Sequence, residues 1–177
     1  MGMASSSKAG WVMSIEKSKH CKTAKLLPTE KQYAALCFRY VAGSEDPVQL
    51  LLITSRDTGR WVVPKGWGDA ESKPCETAQR EAWEEAGVVG RVRKKPFGYY
   101  THTEKLSDEH SVMVVVQVHL LHVLDVKGDF PEKGQRTLRW FSPTAAASAV
   151  LEPDLKYLIG RLPGVAMQLL TLTPSVW

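Results

Sequence analysis

Three glutamates, Glu81, Glu84 and Glu85, follow Arg80 in the segment CETAQREAWEEAGV, residues 75–88. On a helix they stand in i, i+3 and i+4 relation, so the three carboxylates leave one face within about 6 Å of each other and repel. The positions from which a lysine would relieve them hold other residues. Thr77 lies four before Glu81, Val88 and Val89 lie four after Glu84 and Glu85, and Arg80 is the nearby cation. Such a cluster is either an ordinary solvated charge run or the oxygen donor set of a hard divalent cation. Magnesium takes a few carboxylates, keeps waters and shares substrate phosphates, so the second reading brings a phosphate ligand with it. Upstream, PKGWG (residues 64–68) has two glycines where backbone can approach a helix closely, and a carbonyl there can add a neutral oxygen.

The elements that must position these residues follow from apolar patterning. QYAALCFRYV (32–41) and VQLLLITSR (48–56), split by AGSEDP, predict a hairpin. A short strand near residues 61–63 leads into a long glycine- and proline-containing loop, and a loop of that length in a compact domain is usually functional. Ser72 is placed to cap a helix with Pro74 in its first turn, running to Ala86 and stopping at Gly87. RVRKKPFGYYTH, SVMVVVQVHLLHVL and TLRWFS supply further strands, and the chain beyond Pro143 predicts one terminal helix or a broken pair. The expected fold class is α/β, a mixed β-sheet sandwiched between helices.

The chain has 177 residues, a net charge of +4 and a 44% hydrophobic content, which fits one globular domain. Its first 31 residues hold six lysines against two glutamates, a net +4, so the remainder is neutral. That concentration of charge argues against a nucleic-acid surface and for a flexible basic arm over residues 1–28, ahead of a domain over residues 29–177. Cys21, Cys37 and Cys75 are odd in number and far apart, as reduced thiols would be. No stretch is apolar for long enough to predict a signal core or a membrane span. A cytoplasmic or nuclear monomer is the expectation, with prior removal of a signal peptide left open.

Gly66 together with REAWEEAGV (80–88) resembles the Nudix box, G-x5-E-x7-R-E-U-x-E-E-x-G-U, where U is a bulky aliphatic residue. Ser72 stands where the pattern has its first glutamate, with Glu71 one residue early, and Ala82 takes an aliphatic position. The resemblance implies the Nudix fold, an α/β/α sandwich, and a pyrophosphohydrolase using Mg2+, with Mn2+ as the other candidate. It further implies that Glu81, Glu84 and Glu85 are the metal ligands, one of them acting as base toward water, that Gly66 adds a carbonyl, and that Arg80 orients Glu81.

EKQYAALCFR (30–39), LLLITSRDTGRWVVPKG (50–66) and GQRTLRWFS (134–142) are similar to the Nudix subgroup acting on diphosphoinositol polyphosphates and diadenosine polyphosphates, in its fungal and bacterial form. The implied substrate is a small polyphosphorylated molecule, first an inositol pyrophosphate losing its β-phosphate and second a diadenosine polyphosphate or other nucleotide. A non-catalytic module binding phosphorylated ligands or RNA is the reading from another class. So much negative charge requires Lys and Arg. Candidates are Thr54, Ser55, Arg56, Arg60 and Lys65 before the box, and Arg91, Lys133 and Arg136 after it; Arg56, Lys65 and Arg136 match the subgroup by position. His102, Glu104, Glu109 and His110 occupy a polar stretch that could reach the site, and Trp67 could cover a ligand.

Overall fold

The computed structural model describes residues 29–44, 46–105 and 111–171. The expected basic arm, with Lys17, Lys19, Lys22 and Lys25, lies outside the described residues, as do Cys21, Glu109 and His110. In chain order the elements are β1 (Thr29–Tyr40), β2 (Val48–Thr54), β3 (Trp61–Val62), β4 (Lys65–Trp67), α1 (Pro74–Ala86), β5 (Val88–Val92), β6 (Gly98–Lys105), β7 (Ser111–Val126), β8 (Leu138–Phe141), α2 (Pro143–Ala149) and α3 (Pro153–Thr171).

The two longest strands, β1 and β7, run parallel side by side from Thr29↔Met113 to Phe38↔His122. Each changes its outer partner part-way along. The first half of β1 pairs with β4 (Gln32↔Trp67 to Ala34↔Lys65) and the second with β2 (Phe38↔Leu50 to Tyr40↔Val48). The first half of β7 likewise pairs with β6 and the second with β5. β3 and β8 complete the sheet against β2. The sheet therefore forks at both sides of a parallel axis, and the fork between β2 and β4 leaves a gap.

Side-chain alternation then sorts the two faces. Ala35, Cys37, Leu51, Ile53, Leu121 and Val123 point to α1. Leu36, Phe38, Leu50, Leu52, Val116, Val118 and Leu120 point to the opposite side, where Leu155, Ile159 and Leu162 of α3 complete a larger core. Helices on both faces give the expected α/β/α sandwich. Helix α1 meets its face through small residues, Cys75, Ala78, Ala82 and Ala86, so its backbone lies close to the sheet. Gly87 ends it in the left-handed region at φ 65°, and a side chain there would run into the Phe130 ring and the Lys127 carbonyl.

Two expectations need correction. The segment after residue 63 is not all loop, because Lys65–Trp67 adds to the edge of β1 as β4. Ser72 does not cap α1 either. The N-cap is Lys73, whose amide donates to the Glu76 carboxylate at 3.1 Å, while the Ser72 hydroxyl and amide are both taken by Asp69. The terminal segment is the broken pair, α2 and α3, and no described helix is long and apolar enough to cross a membrane. Cys37 and Cys75 are both free and buried.

Buried His119 on β7 gives the fold an acid sensitivity. Its Nδ1 donates to the Arg93 carbonyl at 2.8 Å and its Nε2 accepts from the Gln117 amide at 2.8 Å, so both nitrogens are used by the neutral ring. Burial holds its pKa below the ordinary value despite the Arg93 contact. The unfolded chain takes up the proton near pH 6.5 and the folded one only at lower pH, so the stabilisation is complete above about 6.5 and is lost as pH falls through the folded value. Melting temperatures recorded by circular dichroism from pH 7.5 to pH 5.5 should drop with acid, and His119→Asn should flatten that slope while lowering the starting value. An unchanged slope in the variant would show that His119 is not responsible.

Candidate active site

The gap between β2 and β4 is the mouth of a cavity of about 360 Å3. The chain crosses it at Pro64, whose carbonyl accepts from the Ala35 amide at 3.0 Å. Ser55, Arg56 and Arg60 enter from the turn between β2 and β3, Lys65, Gly66 and Trp67 from β4, Glu81 and Glu85 from α1, and Glu132 and Arg136 from the segment before β8.

Of the three glutamates that follow Arg80, helix α1 delivers two here. Glu81 and Glu85 sit one turn apart beside the small-residue stripe, so the close approach of that stripe to the sheet carries them inward. Gly66 completes this, since a Cβ at that position would overlap the Glu81 carboxylate. Arg80 holds Glu81 from outside, with Nη2 3.0 Å from Oε1, and is itself fixed by Asp69 at 2.7 Å and the Trp67 carbonyl at 3.3 Å. The third glutamate, Glu84, stays at the surface with Oε2 3.9 Å from the Arg80 Nε.

Glu85 has the most enclosed environment. It accepts from the Lys65 amide at 2.9 Å and forms an ion pair with Arg136, both side chains being only 7% exposed. Burial pushes its pKa up to about 7, against the pull of Arg136 and the Lys65 amide. Glu81 is also raised, again chiefly by burial, with Arg80 opposing. Two desolvated carboxylates on one helix turn form an electrostatic deficit that a cation would relieve.

Sequence reasoning missed Glu132. Its carboxylate lies 3.0 Å from the Arg136 Nε and 3.4 Å from the Arg56 Nη1, so it bridges two cations of the cavity. Its amide donates to the Glu84 carbonyl at 2.9 Å, and the Lys127 amide donates to the Gly87 carbonyl at 2.9 Å, which ties the segment before β8 to the end of α1. The only local signal was its place four residues before Arg136.

Three other expected residues lie away from the cavity. Arg91 is exposed on β5 opposite His122, because β5 pairs with the far half of β7. Lys133 is exposed in a turn, its amide donating to the Phe130 carbonyl. Thr54 is used structurally, its hydroxyl accepting from the Thr137 amide and its carbonyl from Arg136. His102 and Glu104 do approach, through Lys65: the Lys65 Nζ is 2.9 Å from the Gln32 Oε1 and 3.8 Å from Glu104, and the His102 Nε2 is 3.4 Å from the same Gln32 oxygen.

Among the described residues, no three His, Cys, Asp or Glu side chains already surround a common point. The donor chemistry nevertheless suits magnesium, which needs only one or two carboxylates when waters and substrate phosphates fill its remaining positions. Glu81 and Glu85 are a pair of cavity carboxylates that could hold it.

A NUDIX domain model matches residues 30–162. Diphosphoinositol polyphosphate phosphohydrolase 3-alpha of Mus musculus is 37% identical over 92 residues, covering 52% of this chain and 54% of that protein. Its Homo sapiens counterpart is 46% identical over 63 residues, 36% of this chain and 37% of that one. The chain thus matches about half the length of these relatives or less. Among solved structures, an Ap4A hydrolase of C. elegans in a binary complex superposes with a TM-score of 0.58 at 18% identity, over 78% of this chain and 98% of that one, a likeness of fold.

The Glu85–Arg136 pair yields a stability prediction. Arg136→Leu leaves a buried carboxylate without its partner and should cost about 3–5 kcal/mol, whereas Arg136→Leu with Glu85→Gln should recover most of that loss. Urea unfolding of the two variants distinguishes them. A loss below about 1 kcal/mol in the single variant would place the pair among weak surface bridges.

Proposed function

The chain belongs to the NUDIX family, and from that premise we propose that it is a divalent-metal-dependent pyrophosphohydrolase acting on diphosphoinositol polyphosphates and releasing their β-phosphate. The observation that carries this reading is the cavity itself, which sets Arg56, Arg60, Lys65 and Arg136 around Glu81 and Glu85. The relatives with partial matches, named as phosphohydrolases of that substrate, support the substrate class.

In this reading the cations bind and align the pyrophosphate, each guanidinium offering paired donors to phosphate oxygens. Glu81 and Glu85, with Glu84 nearby at the surface, would hold Mg2+ or Mn2+, which would supply charge neutralisation and an activated water. Arg80 keeps Glu81 in place, and Gly66 leaves the space that carboxylate needs. One carboxylate of the trio receives the proton of the attacking water as the new phosphorus–oxygen bond forms and the bond to the bridging oxygen breaks. Trp67, 43% exposed at the rim, is positioned to shield the bound anion from solvent. The dinucleotide alternative draws on the same cavity and on the fold shared with the Ap4A hydrolase.

The test offers the purified protein a diphosphoinositol pentakisphosphate, diadenosine hexaphosphate, ADP-ribose and capped RNA side by side with magnesium and follows product release. The inositol pyrophosphate should be turned over fastest; faster turnover of ADP-ribose would overturn the substrate assignment. Glu85→Gln should lower kcat at least about a hundredfold while substrate binding by calorimetry persists. Full activity in that variant would remove Glu85 from the chemistry.

A further inference from the structure

One carboxylate of the cavity spans two of its cations. Glu132 Oε1 accepts from the Arg56 Nη1 at 3.4 Å, and its Oε2 accepts from the Arg136 Nε at 3.0 Å. Guanidinium donors of this kind are what phosphate oxygens require, so the carboxylate stands where an anionic ligand would bind. The two arginines differ in how they are held. Arg136 is buried, paired with Glu85 and 3.2 Å from the Thr54 carbonyl, so it keeps its place when Glu132 leaves. Arg56 is 55% exposed, with the Gln135 side-chain oxygen 3.4 Å away as its other partner.

Displacing Glu132 requires movement of its side chain alone. Its amide donates to the Glu84 carbonyl at 2.9 Å and its carbonyl accepts from the Gln135 amide at 3.0 Å, so the backbone is pinned on both sides. The side chain is 22% exposed and opens on the cavity. Rotation about its own bonds therefore carries the carboxylate off the arginines with the main chain unchanged. A competitor anchored in this way does not diffuse away, and its effective concentration at the two cations is set by the anchor.

We propose that Glu132 is a tethered competitor for the phosphate site, which every anion must displace from Arg56 and Arg136, and which expels the phosphate product when it returns. This rests on the pyrophosphohydrolase reading for the identity of the ligand and adds how the site releases what it makes. A polyphosphorylated substrate also meets Arg60 and Lys65 on other walls, so it stays bound after the competitor has taken its share. A single phosphate at Arg56 and Arg136 has no such surplus. The exchange makes and breaks no covalent bond, since one anion replaces another around the same two cations. The competing account makes Glu132 a metal donor beside Glu81 and Glu85, because its charge adds to the upward push that burial gives the pKa of both.

The test measures binding of inorganic phosphate and of methylenediphosphonate, a diphosphate analogue that resists hydrolysis, by calorimetry on the full chain without divalent cation. The parent protein is compared with Glu132→Ala and with Glu132→Gln, which keeps the shape and loses the charge, and Mn2+ affinity is followed separately by electron spin resonance. Glu132→Ala should bind each anion about tenfold tighter, the gain when a cation pair open about one-tenth of the time becomes open throughout. Glu132→Gln should gain in the same direction. Structural damage would weaken anion binding, so a gain is not a side effect of misfolding. No gain in either variant, or no anion binding in any of the three proteins, would overturn the proposal. A fall in Mn2+ affinity without an anion gain would do the same and assign Glu132 to the metal. During turnover of the inositol pyrophosphate, inhibition by added phosphate should strengthen by a similar factor in Glu132→Ala, and unaltered inhibition would remove the role in product release. If the parent protein turns over no pyrophosphate, the reading of its activity fails by itself, and the anion affinities still decide the place of Glu132.

Discussion

A carboxylate and a guanidinium, Glu85 and Arg136, face each other almost wholly out of water where α1, β4 and the segment before β8 meet. Desolvating two charges is expensive, and the attraction between them compensates only when the geometry is held by other groups. Here the Lys65 amide holds Glu85, and Glu132 with the Thr54 carbonyl holds Arg136. Each of those groups comes from a different strand or loop, so the pair can exist only when the forked sheet and the helix are assembled together. The small-residue stripe of α1 and the missing side chain at Gly66 are the steric conditions for that assembly.

The arrangement also explains why so many charges can share a cavity. Glu132 neutralises Arg56 and Arg136 in the absence of an anion, and Arg80 and Asp69 neutralise each other at the rim. Ligand binding is then an exchange of partners rather than a filling of bare charge. Arg60 is likewise paired, its guanidinium meeting the Glu152 carboxylate.

Much of this was legible in the sequence, because helix α1 and its glutamates obey local spacing. The stop at Gly87, the run of Val and Leu in β7 and the broken terminal helices were equally local signals. What escaped depended on pairing across long separations. β4 has three residues and no pattern of its own; it exists because β1 offers it an edge. Ser72 is a good cap by type, but Asp69 competes for its hydroxyl and amide. Arg91 and Lys133 carry the right charge, yet the fork of β7 and a turn aim them outward. Glu132 was hidden because its role comes from two cations, one of them 76 residues away.

The parallel pairing of β1 with β7 has a consequence for how the chain comes together. A strand ending at Tyr40 must wait for one beginning at Ser111, and every other strand in the sheet attaches directly or indirectly to this axis. Topologies dominated by such distant pairings fold slowly, since loop closure must precede the contacts that reward it. During synthesis, α1 would emerge well before the Arg136 that pairs with its Glu85. The cavity is therefore among the last features the chain can complete, because Glu132 and Arg136 are the last of its lining residues to be made.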